Sequence, residues 1–364
     1  MTTTYTYTYP MYEHWDDLPG LLASKLIAKH SHPVLPLDIY NYTPESQTVP
    51  IADWTPAMCD CRGLILTHDG GVVGRPFRKF WNYDQMLAHI PAGEPFTVWE
   101  KLDGSLGIVC NYDGQCVIAT RGSFTSEQAK FATTWFDTNF PYFVPIFGET
   151  FLFEILFPSN RIVVDYGQRA ECVLLAMLDN ITGDNCTWAF DWDESFTHAR
   201  VFNGITDFSV VNTDPQFAGE EGFVIQYASG LRVKIKAVEY VRLHRLITQV
   251  SSKSIWDLLR TGTGIAELVD RVPAEFAKWV HVTALDLMTE FDTIRLHAEH
   301  VFENAPDEQA TDNRNARKKF AAWAVTTDHP RLMFALLDNR PIDQLIWRMV
   351  EPDFSTPFRG ESHV

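Results

Sequence analysis

Lys101 stands two positions before the pair Asp103-Gly104 and directly after the β-type run Phe96-Thr97-Val98-Trp99. A strand that ends in an Asp-Gly turn holds an amine rigidly at the mouth of a pocket, because the strand fixes the backbone before it and the turn residues fix it after. An amine mounted in this way is placed for nucleophilic work. On these four residues alone, a β-turn carrying a solvated lysine is the competing reading. A second group of cations lies in Arg232-Val233-Lys234-Ile235-Lys236, where strand alternation puts three basic side chains on one face.

The elements that must position these groups read as short strands between turn residues. Cys61 to Leu66 forms a strand opened by Arg62-Gly63, Asp69-Gly70-Gly71 a hairpin turn, and Val72 to Phe77 the returning partner, which leads into Arg78-Lys79-Phe80-Trp81-Asn82. Gly107 to Asn111 and Cys116 to Thr120 flank Asp113-Gly114 as a further hairpin. Residues 10–50 mix a helix over Trp15 to Lys29 with extended segments at Val34 to Leu37 and Ile39 to Tyr42, and a helix is inserted over Thr125 to Asn139. Up to about residue 236 this describes an α+β sheet domain.

Beyond about residue 245 the period changes. Phe276, Val280, Ala284, Leu287, Phe291, Ile294, Ala298 and Val301 step by four and three, which predicts one long amphipathic helix starting near Pro273. Shorter helices follow at Asn315 to Val325, Pro330 to Leu337 and Pro341 to Val350. The expected organisation is an α+β domain over 1–245 and an all-α domain over 246–364, with no strand run left to build an OB barrel.

A chain of 364 residues suits two domains, and 46% hydrophobic with 13% aromatic residues is enough to bury sizeable cores. No apolar run approaches the roughly 20 residues of a membrane span. Met1 to Tyr9 lacks the basic start and apolar centre of a signal peptide and reads as an edge strand or a loose tail. The six cysteines contain no Cys-x-x-Cys pair, which predicts reduced thiols in a cytoplasmic protein. A net charge of −17 argues against a protein that coats nucleic acid, since that affinity comes from phosphate neutralisation. Cations cluster only locally, at Arg75, Arg78 and Lys79 and from Arg232 to Arg245. The pattern suits an enzyme that grips a few phosphates at one site.

Lys101-Leu102-Asp103-Gly104 is similar to the nucleophile motif of ATP-dependent ligases and capping enzymes. Further stretches follow one family's own order: Cys61-Arg62-Gly63; Lys79-Phe80-Trp81-Asn82; Arg121-Gly122-Ser123 with Ser126 to Ala129; Phe153-Glu154-Ile155 with Pro158 to Val163; Glu221-Gly222-Phe223-Val224; and Lys234-Ile235-Lys236 with Tyr240-Val241 and Leu243-His244. Over roughly residues 35 to 245 the chain resembles the T-even phage RNA ligase 1 family.

That resemblance implies an α+β nucleotidyltransferase (ligase adenylation) domain. It also implies ATP-dependent joining of 5′-phosphate and 3′-hydroxyl ends of single-stranded RNA, through a lysyl-AMP and a 5′-adenylated RNA, in RNA or tRNA repair. Lys101 is then the nucleophile and Lys234 and Lys236 the catalytic cations. A free lysine amine has a pKa of about 10.4 and is protonated at neutral pH. Lys79, Lys234, Lys236 and a bound metal are expected to favour the neutral amine and to neutralise phosphate charge. Arg62 and Lys79 would touch nucleotide phosphates or ribose, with Gly104, Tyr40 and Tyr240 also at the nucleotide; for the two tyrosines core packing competes. Arg121 stands where the family has a lysine, which keeps the charge but changes its shape. Glu154 and Glu221 would meet ribose hydroxyls or magnesium, with Asp103 near the metal and manganese as a substitute. Magnesium takes one or two carboxylates plus substrate phosphates, so few protein ligands are expected. The implied partners are ATP and single-stranded RNA ends, including cleaved tRNA, met by a monomer in the host cytoplasm and away from membranes. The later helices would select the RNA.

Two other readings compete: a capping-type or DNA-ligating nucleotidyltransferase, and a non-catalytic protein that binds RNA ends. The missing OB barrel disfavours the first. A binding relic has little reason to keep Lys101, Glu154, Glu221, Lys234 and Lys236 together. His297 and His300 read as a solvated helix face rather than metal ligands, and Thr261-Gly262-Thr263-Gly264 as a helix terminator, with no Gly-Lys-Ser/Thr after it.

Overall fold

The structure, a computed structural model, describes residues 8–186, 195–269, 272, 274–306 and 314–355. The chain divides into two compact units, Met1–Val241 and Arg242–Val364.

Among the described residues the first unit has twelve strands: β1 (Ile27–Ser31), β2 (Leu37–Tyr42), β3 (Arg62–Thr67), β4 (Val72–Gly74), β5 (Phe96–Lys101), β6 (Ser105–Tyr112), β7 (Gln115–Thr120), β8 (Glu149–Leu156), β9 (Glu171–Asp179), β10 (Val201–Phe202), β11 (Gly222–Tyr227) and β12 (Arg232–Lys236). They form three four-stranded sheets ordered β1-β2-β3-β4, β10-β5-β11-β12 and β7-β6-β8-β9. All of the strand pairs are antiparallel. Their alternation shows in the cores. Leu37, Ile39, Ile65 and Val73 from the first sheet pack against Ile108, Cys110, Val117 and Leu152 from the third. The opposite face of the third sheet, with Val109, Phe151 and Phe153, packs on Ala132 and Phe136 of a helix at Glu127–Asn139. That helix starts where the Ser126 side chain accepts the Ala129 N–H, satisfying one of its free amide donors.

The helix expected over Trp15 to Lys29 is shorter. A 3-10 turn at Trp15–Asp17 leads into a helix at Leu18–Ala23, and the chain then reverses at Lys25, which has φ +60, to enter β1. Ile27 needs that reversal to reach the core it shares with Tyr12, Leu18, Tyr40 and Leu64. Of the stretch Met1 to Tyr9, residues 1–7 lie outside the described residues; Tyr9 stacks on Tyr112 at 5.5 Å.

In the second unit every regular element among the described residues is a helix. The long one runs Ala274–Glu303 and buries Phe276, Val280, Ala284, Leu287, Phe291 and Ala298. The helix at Ser252–Thr261, of which the sequence shows only the terminator Thr261 to Gly264, ends on Gly262 with φ +73, the left-handed cap for which glycine is suited. His297 and His300 are exposed and meet Asp328 and Glu303.

Candidate active site

Three strands set one face of the site. Register places Lys101, Gly222 and Lys236 side by side across β5, β11 and β12, then Trp99, Val224 and Lys234, then Thr97, Gln226 and Arg232. Because the side-chain period is two, Lys101, Lys234, Lys236 and Arg232 all face one pocket. Its other walls are Arg62, Phe77 and Phe80 on one side and Leu106, Glu154 and Leu175 from the third sheet on the other. The turn between β5 and β6 joins two sheets, so Lys101 stands at the seam where they meet.

Glu221 holds the lysines in place. It is 3% exposed, and its carboxylate takes Lys101 Nζ at 2.8 Å on Oε2 and Lys236 Nζ at 2.9 Å on Oε1. The backbone reaches this position through Gly222, whose φ of +148 few side chains tolerate; a Cβ there would lie 2.0 Å from the Ile235 carbonyl oxygen.

The turn after Lys101 is bolted down by Asp103. Its Oδ2 accepts the N–H groups of Val163 and Val164 at 2.8 and 2.9 Å, and its Oδ1 accepts the Tyr240 hydroxyl at 2.6 Å. Burial, with Glu221 nearby, raises its carboxyl above the ordinary aspartate value despite these donors. Both oxygens of Asp103, the residue expected near the metal, accept hydrogen bonds from the fold, and the side chain anchors the turn. Gly104 lets the turn lie against β8, since a Cβ would meet the Ile155 carbonyl oxygen at 2.6 Å. Its N–H donates to Glu154 Oε1 at 2.9 Å. Burial pushes the Glu154 carboxyl up to about 7, with Lys101 opposing.

Cations were expected to surround Lys101. Arg62, Lys234 and Lys236 share its pocket, while the charge paired with its amine is the Glu221 carboxylate. Burial and cations together depress the amine of Lys234. Desolvation, then Lys79, Lys101, Arg62 and Lys236, push it down to about 7. Arg62 reaches the pocket because Gly63 is an extra residue in β3: Tyr40 pairs with Leu64 and Asn41 with Arg62, which moves Arg62 off the face of Leu64. A Cβ at Gly63 would meet Ile108 Cδ1 at 2.3 Å. Arg62 Nη1 is buried and has no hydrogen-bond partner, as suits a donor that meets an anionic ligand.

Lys79 and Arg121 gather at Tyr42, with Lys79 Nζ 4.8 Å and Arg121 Cζ 5.3 Å from its ring centre. Burial pushes the Tyr42 phenol up, but Arg121, Arg62 and Lys79 outweigh it and hold the group below its ordinary value. Trp54 flanks Tyr42 at 5.5 Å, and Trp81 flanks Trp54 at 5.7 Å. Tyr40, the tyrosine expected at the nucleotide, is 3% exposed and lies in the core with Leu18 and Leu64. Tyr42, two residues on, holds the position by the cations. Sequence reasoning also missed Trp54, whose only signal was an aromatic beside a turn.

Asp103, Glu154 and Glu221 do not converge as a set of metal ligands. Among the described residues one trio of metal-type side chains comes together, Glu13, His14 and Asp60. Arg75 and Arg78 already pair with that trio. Of the two carboxylates that line the pocket, Glu100 is paired with Arg200, and Glu154 is the one that fits an ion held mainly by substrate phosphates.

Residues 60–240 match the family model described as RNA ligase. That stretch belongs to the T-even phage RNA ligase 1 family. A protein named as a bifunctional polynucleotide kinase/RNA ligase, from Autographa californica nuclear polyhedrosis virus, is 27% identical over 231 residues, which is 52% of this chain and 31% of the relative. The chain thus aligns with about a third of that relative's length. Among solved structures, an archaeal ATP-dependent RNA ligase is similar over 85% of this chain and 86% of its own at 13% identity, with a TM-score of 0.44. A Naegleria gruberi RNA ligase variant with ATP and manganese covers 42% of this chain and 52% of its own at 15% identity, with a TM-score of 0.33. Every residue that lines the pocket lies within the matched stretch, Arg62, Lys101, Glu154, Lys234 and Lys236 among them, with Glu221, Asp103 and Tyr240 directly behind.

Proposed function

We propose that this chain is an ATP-dependent RNA ligase that joins 5′-phosphate and 3′-hydroxyl ends of single-stranded RNA. The observation that carries this reading is the Lys101 amine, mounted at a strand end 2.8 Å from a buried carboxylate, in a pocket walled by Arg62, Lys234 and Lys236.

In the first step the Lys101 nitrogen attacks the α-phosphorus of ATP. A P–N bond forms, the bond to the bridging oxygen breaks, and pyrophosphate leaves with the electron pair. The ammonium proton must go first, and Glu221 Oε2 is the acceptor within reach. Lys234, Lys236 and Arg62 neutralise charge on the phosphates. Next, a 5′-phosphate oxygen of the RNA attacks the same phosphorus, the P–N bond breaks, and Lys101 takes a proton back. Finally the 3′-hydroxyl oxygen attacks the activated 5′-phosphorus and gives up its proton to solvent, the phosphoanhydride bond breaks, and AMP leaves with the electron pair. Magnesium, or manganese in its place, would be held by Glu154 and the substrate phosphates and would add positive charge there.

Tyr42, Lys79 and Arg121 suit the outer phosphates of ATP. By the family resemblance, the RNA is a cleaved tRNA met in the host cytoplasm, and the later region, whose regular elements among the described residues are all helices, selects it. Incubation with α-labelled ATP, GTP or NAD followed by denaturing electrophoresis tests the proposal. Label from ATP alone supports it; label from GTP points to a capping-type enzyme, and no label to a binding protein.

A further inference from the structure

Beside the Lys101 pocket, two grooves reach Lys234. One, of about 270 Å³, lies by Lys79 and Trp54. The other, of about 660 Å³, also reaches Lys236 and is lined by Tyr83 and Phe208 with Val238 at its edge. The wider groove therefore shares both lysines with the nucleotide pocket, as a wall between them.

Its aromatic lining is fixed to that wall. Asn82 bridges Lys234 in parallel, and the Lys234 N–H donates to the Trp81 carbonyl at 3.0 Å, so Tyr83 is held in register beside the lysine. Asn82 also caps the 3-10 turn that Tyr83 opens. The Phe208 ring lies 5.2 Å from Tyr83 and 5.5 Å from Phe96. Two carboxylates face the same groove, Asp84 and Asp207. Asp207 spends both oxygens on Ser209, and hydrogen bonds from the Ser209 N–H and hydroxyl hold its carboxyl below the ordinary value.

We infer that this groove seats the first nucleotide of the 5′-phosphorylated RNA strand, its base on Tyr83 and Phe208 and its phosphate at Lys234 and Lys236. The inference rests on the ligase reading above and extends it to the second substrate. Cations at one end with aromatic faces beyond them are how single strands are held without sequence preference, at about 1–3 kcal/mol per stacked base. The acids at the groove work against a long run of phosphates. They favour an end over an internal stretch, in keeping with a chain of net charge −17.

The test uses the full chain and a 5′-phosphorylated, 3′-blocked RNA oligonucleotide, with transfer of AMP from the adenylated protein measured against oligonucleotide concentration. Tyr83→Ala and Phe208→Ala should each raise the half-saturating concentration roughly 5- to 150-fold. Tyr83→Phe should stay near wild type, and self-adenylation, which needs no RNA, should be unchanged in all three. Val238 is 69% exposed, so changing it does not disturb a core. Val238→Glu should raise the half-saturating concentration and Val238→Lys lower it, a change of sign that a packing role would not produce. Unchanged concentrations across the set would overturn the inference. So would self-adenylation that falls in parallel, because the groove would then belong to the nucleotide pocket. Anisotropy of a labelled oligonucleotide reads the same ranking without adenylation. A wild type that never takes AMP would therefore sink the ligase reading while the groove is still decided.

Discussion

Lys101 and Glu221 are joined by an ion pair of 2.8 Å in which the carboxylate is 3% exposed and the amine opens on the pocket. In the proposed mechanism Glu221 has two tasks, holding Lys101 in line and receiving its proton. Glu221→Gln keeps the shape but removes the base. It should slow self-adenylation by about 10² or more, with the loss shrinking as pH rises and solvent takes the proton. A pH series of label transfer checks this; equal rates for the two proteins would show that Glu221 takes no part.

The backbone at Gly222 admits no side chain. Gly222→Ala forces a Cβ to within 2.0 Å of a β12 carbonyl at φ +148, and should destabilise the first unit by more than about 2 kcal/mol in urea unfolding. Gly122→Ala is the contrast: its Cβ meets only Asn41 Nδ2, at 3.6 Å, and should cost less than about 1 kcal/mol.

Asp103→Asn separates an anchor from a metal ligand. An amide cannot accept at both oxygens, so one of the three donors from Val163, Val164 and Tyr240 loses its partner, at about 1–3 kcal/mol. The melting temperature should fall, while the magnesium concentration that half-saturates adenylation should not move. A large rise in that concentration would restore the metal role.

Lys234 gives a pH signature. Its ammonium is disfavoured in the fold, with the pKa lowered from 10.5 to about 7. Between those values the unfolded chain binds more protons, so stability rises with pH across the window and the gain is lost as pH falls through about 7. Lys234→Met should flatten that rise in chemical denaturation. Arrival of phosphates favours the ammonium, so ATP binding near pH 8 should take up a proton, read by calorimetry in buffers of different ionisation enthalpy. The uptake should shrink near pH 6 and in Lys234→Met.

What the sequence revealed follows the range of the interactions. The Lys101 mount is local, a strand and a turn in eight residues, and the alternation of Arg232, Lys234 and Lys236 needs only one strand; both stand as read. Glu221 between Lys101 and Lys236 depends on pairing across residues far apart in the chain, which no local pattern encodes. Tyr40 and Tyr42 are alike in sequence, and only the packing of the helix at Leu18–Ala23 makes the first a core residue. Asp103 was recognised by its motif, but its partners Val163 and Val164 come from a loop about 60 residues on. Of the helix read over Trp15 to Lys29 the structure keeps Leu18–Ala23, and the left-handed Lys25 turns the chain away.

Covalent attachment of AMP to the Lys101 nitrogen is the step on which the ligase reading turns. Wild type and Lys101→Ala are incubated with ATP and magnesium, digested under conditions that preserve a phosphoramidate, and mapped by mass spectrometry. The expected result is an added AMP on the peptide carrying Lys101, no adduct anywhere in Lys101→Ala, and a variant that still joins RNA already bearing a 5′-adenylate. An undiminished adduct in the variant, or AMP mapped to another residue of the wild type, would contradict it.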